Sequence, residues 1–229
     1  GKGLISTEDL KNYESVWRTP VTGYYKNYRI ISMPPPSSGG IALIQLLNMV
    51  ENYPLKDWGW NTEKTVHLMA EAEKIIYADR AEHFGDPDFY PVPVTDLLDS
   101  DYIVLRMKNF NPDIALESKN IVSPSLMKTE KEQTTHFSII DKWHNAVALT
   151  TTLNGSYGSF TFVPGSGFLL NNEMDDFSSK SGNPNAYGLI GSDANAIAPG
   201  KRMLSSMTPT IIEKDGELLG LSRVRCITQ

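Results

Sequence analysis

Gln133-Thr134-Thr135-His136 and Thr150-Thr151-Thr152-Leu153-Asn154 are two hydroxyl-rich runs that a hairpin between them would bring side by side. A threonine hydroxyl is a poor nucleophile until a base takes its proton. A free α-amine on the same residue can be that base, and it exists only when the chain is cut immediately before that threonine. Threonine also populates strands for packing reasons, so spacing alone leaves this reading open.

Other chemistries find less support. His67, His83, His136 and His144 do not pair with a cysteine or a second histidine at metal spacing. His67 and Glu71, four apart, read as an exposed polar pair on a helix. Gly39-Gly40 could seat an anion at a helix start, but no lysine or third glycine completes a phosphate loop. No Gly-x-Ser-x-Gly elbow is present.

The elements that must position the threonines follow from pattern. Ser6-Thr7-Glu8-Asp9 offers a capping-box start for a short helix through Leu10 to Glu14. Tyr24 to Ile31 predicts two short strands turning at Lys26-Asn27. Pro34 to Gly40 reads as an irregular linker, because three prolines remove ladder donors. Leu43, Leu46, Leu47 and Val50 fall at helical spacing. A second helix is expected over roughly 62–84, with Val66, Met69, Ala70, Glu73-Lys74 and Tyr77 in register and Gly85-Asp86-Pro87 as its stop. Residues 109–132 read as an exposed polar loop. Thr135 to Ile140 and Ala146 to Leu153 predict paired strands, Pro209 to Ile212 another, and Asp215-Gly216 a hairpin turn. Helices before residue 130 and strands after it point to a layered α/β protein.

Composition narrows the class. The chain has 229 residues, 40% of them hydrophobic, and a net charge of −6. With no Lys/Arg-rich run, a nucleic-acid or anionic-membrane surface is not expected. One cysteine, Cys226, excludes an intrachain disulfide framework. Two uncharged windows, 30–50 and 144–172, are broken by Pro, Gly, Ser or Thr, so neither predicts a membrane span. The start Gly1-Lys2-Gly3 has neither an initiator methionine nor a signal segment; the expectation is a removed targeting segment or an internal piece of a longer product.

Several blocks, in order, resemble the gamma-glutamyltransferase family. They are Ser32-Met33-Pro34-Pro35-Pro36-Ser37-Ser38-Gly39-Gly40, Met69-Ala70-Glu71-Ala72, Tyr77-Ala78-Asp79-Arg80 and Gly85-Asp86-Pro87-Asp88-Phe89, followed by Thr134-Thr135-His136-Phe137-Ser138, Leu169-Leu170-Asn171-Asn172-Glu173-Met174-Asp175-Asp176-Phe177 and Leu204-Ser205-Ser206-Met207-Thr208-Pro209. The resemblance implies an α/β N-terminal-nucleophile hydrolase, a four-layer αββα sandwich here incomplete at both ends. It implies a precursor that cuts itself between Gln133 and Thr134. Residues 1–133 would be the C-terminal part of a large subunit and 134–229 the N-terminal part of a small one. Thr134 would be the nucleophile and its freed amine the base, with Thr152 bonded to the nucleophile's hydroxyl. Asn154, Glu173 and Asp176 would hold the α-amino end of a glutamyl substrate, and Ser205 and Ser206 its α-carboxylate. An ammonium offers three donors and suits carboxylate and amide oxygens.

The implied reaction is γ-glutamyl transfer or hydrolysis. Glutathione or another γ-glutamyl compound would be the donor, and water or an amino acid or peptide the acceptor. No metal or organic cofactor is implied, and export to the periplasm or outside the cell is. Rivals are an acylase, a poly-γ-glutamate-processing enzyme, and an inactive remnant. The family's arginine for the α-carboxylate is expected upstream of residue 1, outside this sequence. Its Gly-Ser-Pro-Gly-Gly run after Leu219-Gly220 is replaced, from about residue 221, by Leu221-Ser222-Arg223-Val224-Arg225-Cys226-Ile227-Thr228-Gln229. Since the paired glycines supply oxyanion amides, the chain as written is expected to turn over glutathione poorly. His144 stands where the family usually has glycine, which predicts a strained turn.

Overall fold

A computed structural model describes residues 5–117, 134–178 and 192–223. Helix α1 (Thr7–Asn12) starts at the expected capping box, Ser6 and Asp9 bonding reciprocally. Strands β1 (Val21–Tyr25) and β2 (Tyr28–Ser32) turn at Lys26-Asn27, as the pattern predicts. Helices α2 (Gly39–Val50), α3 (Leu55–Trp58), α4 (Glu63–His83), α5 (Val94–Leu97) and α6 (Ser100–Met107) follow. After them come β3 (Thr134–Ile140), β4 (Ala146–Thr152), β5 (Phe162–Val163), β6 (Phe168–Leu169), β7 (Pro209–Lys214) and β8 (Glu217–Arg223). The protein is mixed α/β.

Its main sheet is antiparallel in the order β1-β2-β7-β8. Tyr28 pairs with Lys214 and Ser32 with Thr210, so the sheet takes two strands from each side of the expected cut. The β3–β4 hairpin lies against β7 and β8. Helix α2 covers the sheet and is buried on most of its surface. Ile41 and Ile44 join Val21, Ile30 and Phe84 in one core, while Ala42, Met49 and Val50 meet Leu68, Ile75 and Ile76 in another. Each fully buried aliphatic side chain contributes roughly 1.5–3 kcal/mol.

Three expectations are corrected. Gly39 and Gly40 are not linker but the first turn of α2. A Cβ on Gly39 would lie 1.8 Å from Thr208 Oγ1, and one on Gly40 2.2 Å from the Met33 carbonyl oxygen. Only glycine lets the helix start so close to its neighbours. The second correction concerns α4, whose buried residues are Leu68, Glu71, Ala72, Ile75, Ile76 and Asp79; Val66 is half exposed. Two buried carboxylates within the stripe obscure its apolar period. The third is Glu71, which is buried rather than exposed, binding Lys74 Nζ at 2.6 Å and the Leu116 amide at 3.1 Å. His67 instead meets the Asn111 carbonyl oxygen.

Buried Asp79 ties three helices together. Its carboxylate accepts from Arg106 Nη2 at 2.7 Å, Tyr102 Oη at 2.9 Å and Gln45 Nε2 at 3.2 Å. Burial, then the bond to Asp79, pushes the Tyr102 phenol up to about 12.

Candidate active site

Thr134 opens β3 directly opposite Thr152 on β4. Residues so paired project to the same face of the sheet, so the two hydroxyls share one side of the hairpin. His136 and Thr150 form the next-but-one pair on that face. The His136 ring is engaged at both nitrogens, Nδ1 with Thr150 Oγ1 at 2.8 Å and Nε2 with Ser138 Oγ at 3.0 Å. With both of its nitrogens occupied, this imidazole is not set up as the base for Thr134.

The strand leads into an asparagine relay. Asn154 lies in the left-handed region at φ +66°, a conformation asparagine tolerates better than most residues. Its amide N–H donates to Thr152 Oγ1 at 3.0 Å. Its side-chain Nδ2 donates to the Asn172 carbonyl oxygen at 3.3 Å and makes a long 3.5 Å contact with Asp176 Oδ1. Asn172 Oδ1 accepts from the Gly155 amide at 2.8 Å, fastening the two loops together. Glu173 to Asp176 form a 3₁₀ turn. The Asp176 carbonyl oxygen accepts from Asn195 Nδ2 at 2.7 Å, and Asn195 Oδ1 accepts from the Leu204 amide at 3.0 Å. A continuous chain of bonds thus runs from Thr152 through Asn154, Asp176 and Asn195 to the residue before Ser205.

The remaining candidates lie at the ends of that chain. Glu173 is 9% exposed, and burial pushes its carboxyl above the ordinary glutamate range. Ser205 and Ser206 bond elsewhere than to the carboxylate turn. The Ser205 carbonyl oxygen accepts from the Ser38 amide at 2.8 Å, and the Ser205 amide donates to the Pro36 carbonyl oxygen at 3.0 Å. Arg80 on α4 reaches both Ser38 and Ser206. Gln133 lies outside the described residues.

Sequence reasoning passed over Asn172, Asn195, Ser38 and Arg80 as parts of the site. Three of them stand inside the family-like blocks and could have been found there; Asn195 carries no spacing signal. Among the described residues, no group of three or more His, Cys, Asp or Glu is placed to hold a metal ion. Nor is any described helix long and apolar enough to cross a membrane.

Paired threonines at a strand end, a turn of carboxylates and a pair of serines are residue types that acyl-transfer chemistry can use. Residues 1–221 match the gamma-glutamyltranspeptidase family model. The chain is 50% identical over 215 residues to a glutathione hydrolase proenzyme of Escherichia coli (strain K12), covering 94% of this chain and 37% of that protein. It therefore spans little more than a third of that relative's length. Among solved structures, cephalosporin acylase from Bacillus halodurans superposes with a TM-score of 0.73 at 26% identity, over 96% of this chain and 36% of that one. Helicobacter pylori gamma-glutamyltranspeptidase matches 52% of this chain and 34% of its own at 45% identity, with a TM-score of 0.51. The chain belongs to the gamma-glutamyltranspeptidase family.

Proposed function

We propose that the protein carrying this chain transfers or hydrolyses γ-glutamyl groups, with glutathione or a related amide as donor. The observation that carries this reading is the pairing of Thr134 with Thr152, linked through Asn154 to Asp176. Self-cleavage between Gln133 and Thr134 frees the Thr134 amine, which takes the proton as Oγ attacks the γ-carbonyl carbon. The tetrahedral adduct collapses to a γ-glutamyl ester, and the same proton leaves on the departing amine. Water or an amine acceptor then cleaves the ester. Asn154, Glu173 and Asp176 hold the donor's α-ammonium, and Ser205 and Ser206 its α-carboxylate. The enclosing fold is a four-layer N-terminal-nucleophile sandwich, shared by a large and a small subunit from one precursor. The protein works in the periplasm or outside the cell.

An acylase reading is favoured by the likeness to the Bacillus halodurans acylase. A side-chain acyl group without α-amino and α-carboxylate ends has no use for this carboxylate and serine set, so the γ-glutamyl reading is preferred. In the full-length protein, Thr134→Ala should remain a single unprocessed species by intact mass and show no turnover. Asp176→Ala should still process itself yet lose roughly tenfold to more than a hundredfold in glutathione use, the size of one charge-assisted bond. Equal damage to processing and turnover would remove the assignment of Asp176.

A further inference from the structure

Arg80 differs from the other arginines whose side chains the structure describes. Arg18, Arg29, Arg106 and Arg202 each lie within 4.0 Å of a carboxylate. Among the described residues, the half-buried Arg80 guanidinium has hydroxyl partners only. Its Nε donates to Ser38 Oγ and its Nη2 to Ser206 Oγ, both at 3.1 Å. A cation held away from water with no counter-charge favours an anion nearby.

The direction of the surrounding bonds says where that anion sits. A serine hydroxyl has one proton to give and two lone pairs to receive with. Ser206 Oγ accepts from Arg80, and Ser205 Oγ accepts from the Met207 amide at 3.1 Å. Among the described residues, every bond made by these two hydroxyls is one they accept, so both protons remain available to an acceptor from outside. Ser37 and Ser38 behave oppositely. Ser37 Oγ donates to the Met207 carbonyl oxygen at 2.7 Å and Ser38 Oγ to the Ser205 carbonyl oxygen at 3.0 Å. The inner serines fasten the loop with their protons, and the outer two keep theirs.

We infer that Arg80 is a positioning residue for carboxylate recognition: by donating to Ser206 and bracing Ser38, it turns the Ser206 proton outward and supplies the positive charge behind the Ser205–Ser206 pair. This inference rests on the reading that the pair binds the donor's α-carboxylate. Arg80 acts through the hydroxyl rather than by contact, and a hydroxyl that accepts from a guanidinium is a stronger donor in turn.

The test compares two γ-glutamyl anilides in the full-length protein, one with a free α-carboxylate and one with an α-carboxamide. Arg80→Met should raise KM for the carboxylate donor about tenfold. It should leave kcat and the carboxamide donor's KM unchanged. Equal losses on both donors, or no loss, overturn the inference, since a merely structural arginine would not distinguish them. Ser206→Ala reports on the underlying reading. If it leaves the ratio of the two donors unchanged, carboxylate binding by the serines is wrong. If it collapses the ratio while Arg80→Met does not, only the role of Arg80 is wrong. Should Arg80→Met fail to fold, Arg80→Lys decides. It keeps the charge but cannot span Ser38 and Ser206 with one planar fork, so the carboxylate donor's KM should still rise severalfold, and an unchanged KM overturns the inference.

Discussion

The sheet-and-helix frame and the β3–β4 hairpin are held by different forces. In the frame, Ile41 and Ile44 on α2 are 0% and 2% exposed, and charged groups such as Asp79 and Glu71 are buried with partners. In the β3–β4 hairpin, Phe137 faces Leu149 and Ile139 faces Val147, yet all four are 39–57% exposed. That hairpin keeps its shape through its ladder, its lean on β7 and β8, and a turn in which Asp141 accepts from the amides of Trp143 and Asn145. The serine pair belongs to the frame, while Thr134 and Thr152 belong to the hairpin. The proposed carboxylate-binding serines and the proposed nucleophile therefore rest on different supports.

The frame is the place for the largest effect. Asp79→Ala leaves Arg106 half-buried without its carboxylate, frees the Tyr102 hydroxyl, and leaves Gln45 Nε2 with the Leu97 carbonyl oxygen. Breaking a buried pair in this way costs about 3–5 kcal/mol. For a chain of this size each kcal/mol lowers Tm by about 2–4 °C, so thermal melts should shift by roughly 10 °C. The Tyr102 phenol should also fall from about 12 towards its ordinary value, read by ultraviolet titration, because burial alone would then raise it. A melt within a degree of the parent would mean that the network is dispensable and the contrast with the hairpin overstated.

Much of the hairpin was legible in sequence and much of the frame was not. The Thr134–Ile140 and Ala146–Thr152 strands are local alternations with a turn between them, and their registers follow from neighbours close in the chain. Lys26-Asn27 and Asp215-Gly216 marked their turns for the same reason. The face of α4 was misread because Glu71 and Asp79 look like surface residues until Lys74, Arg106 and Tyr102 are seen beside them. Helix α6 was passed over, being short, although Asp99 caps it through the amides of Asp101 and Tyr102. The 3₁₀ turn at Glu173 was reachable only through family-like wording, since its supports, Asn154 and Asn195, lie 22 and 19 residues along the chain from Asp176. Residues brought together across the fold leave no period to read.

A smaller effect separates stability from function at Glu173. Burial raises its carboxyl, so the folded state favours the protonated form. Its contribution is therefore fully present in acid, below about pH 4, and is lost as pH rises through the raised value. Glu173→Gln should match the parent's stability in acid and exceed it increasingly towards neutral pH. The same substitution removes the charge that would hold an α-ammonium, so KM for a γ-glutamyl donor should rise about tenfold. A variant that gained stability without losing donor affinity would remove Glu173 from the binding site while leaving the frame intact.

The smallest effect tests the hairpin alone. His144 sits at φ +66°, where a side chain other than glycine's costs roughly 1–2 kcal/mol. The residue is exposed, and its amide donates to the Asp141 carbonyl oxygen at 3.1 Å, a bond that glycine keeps. His144→Gly should therefore relieve strain without losing packing. Glycine's greater freedom in the unfolded chain offsets about 0.4–1 kcal/mol of that relief. A net gain of roughly 0–1.6 kcal/mol remains, or up to about 6 °C in Tm, with slower amide exchange along β3 and β4. Donor KM should stay where it was, because neither Asp176 nor the serine pair leans on this turn. A fall in Tm would show that the imidazole stabilises the turn by a contact worth more than the strain, and a change in KM would show that hairpin and frame are coupled after all.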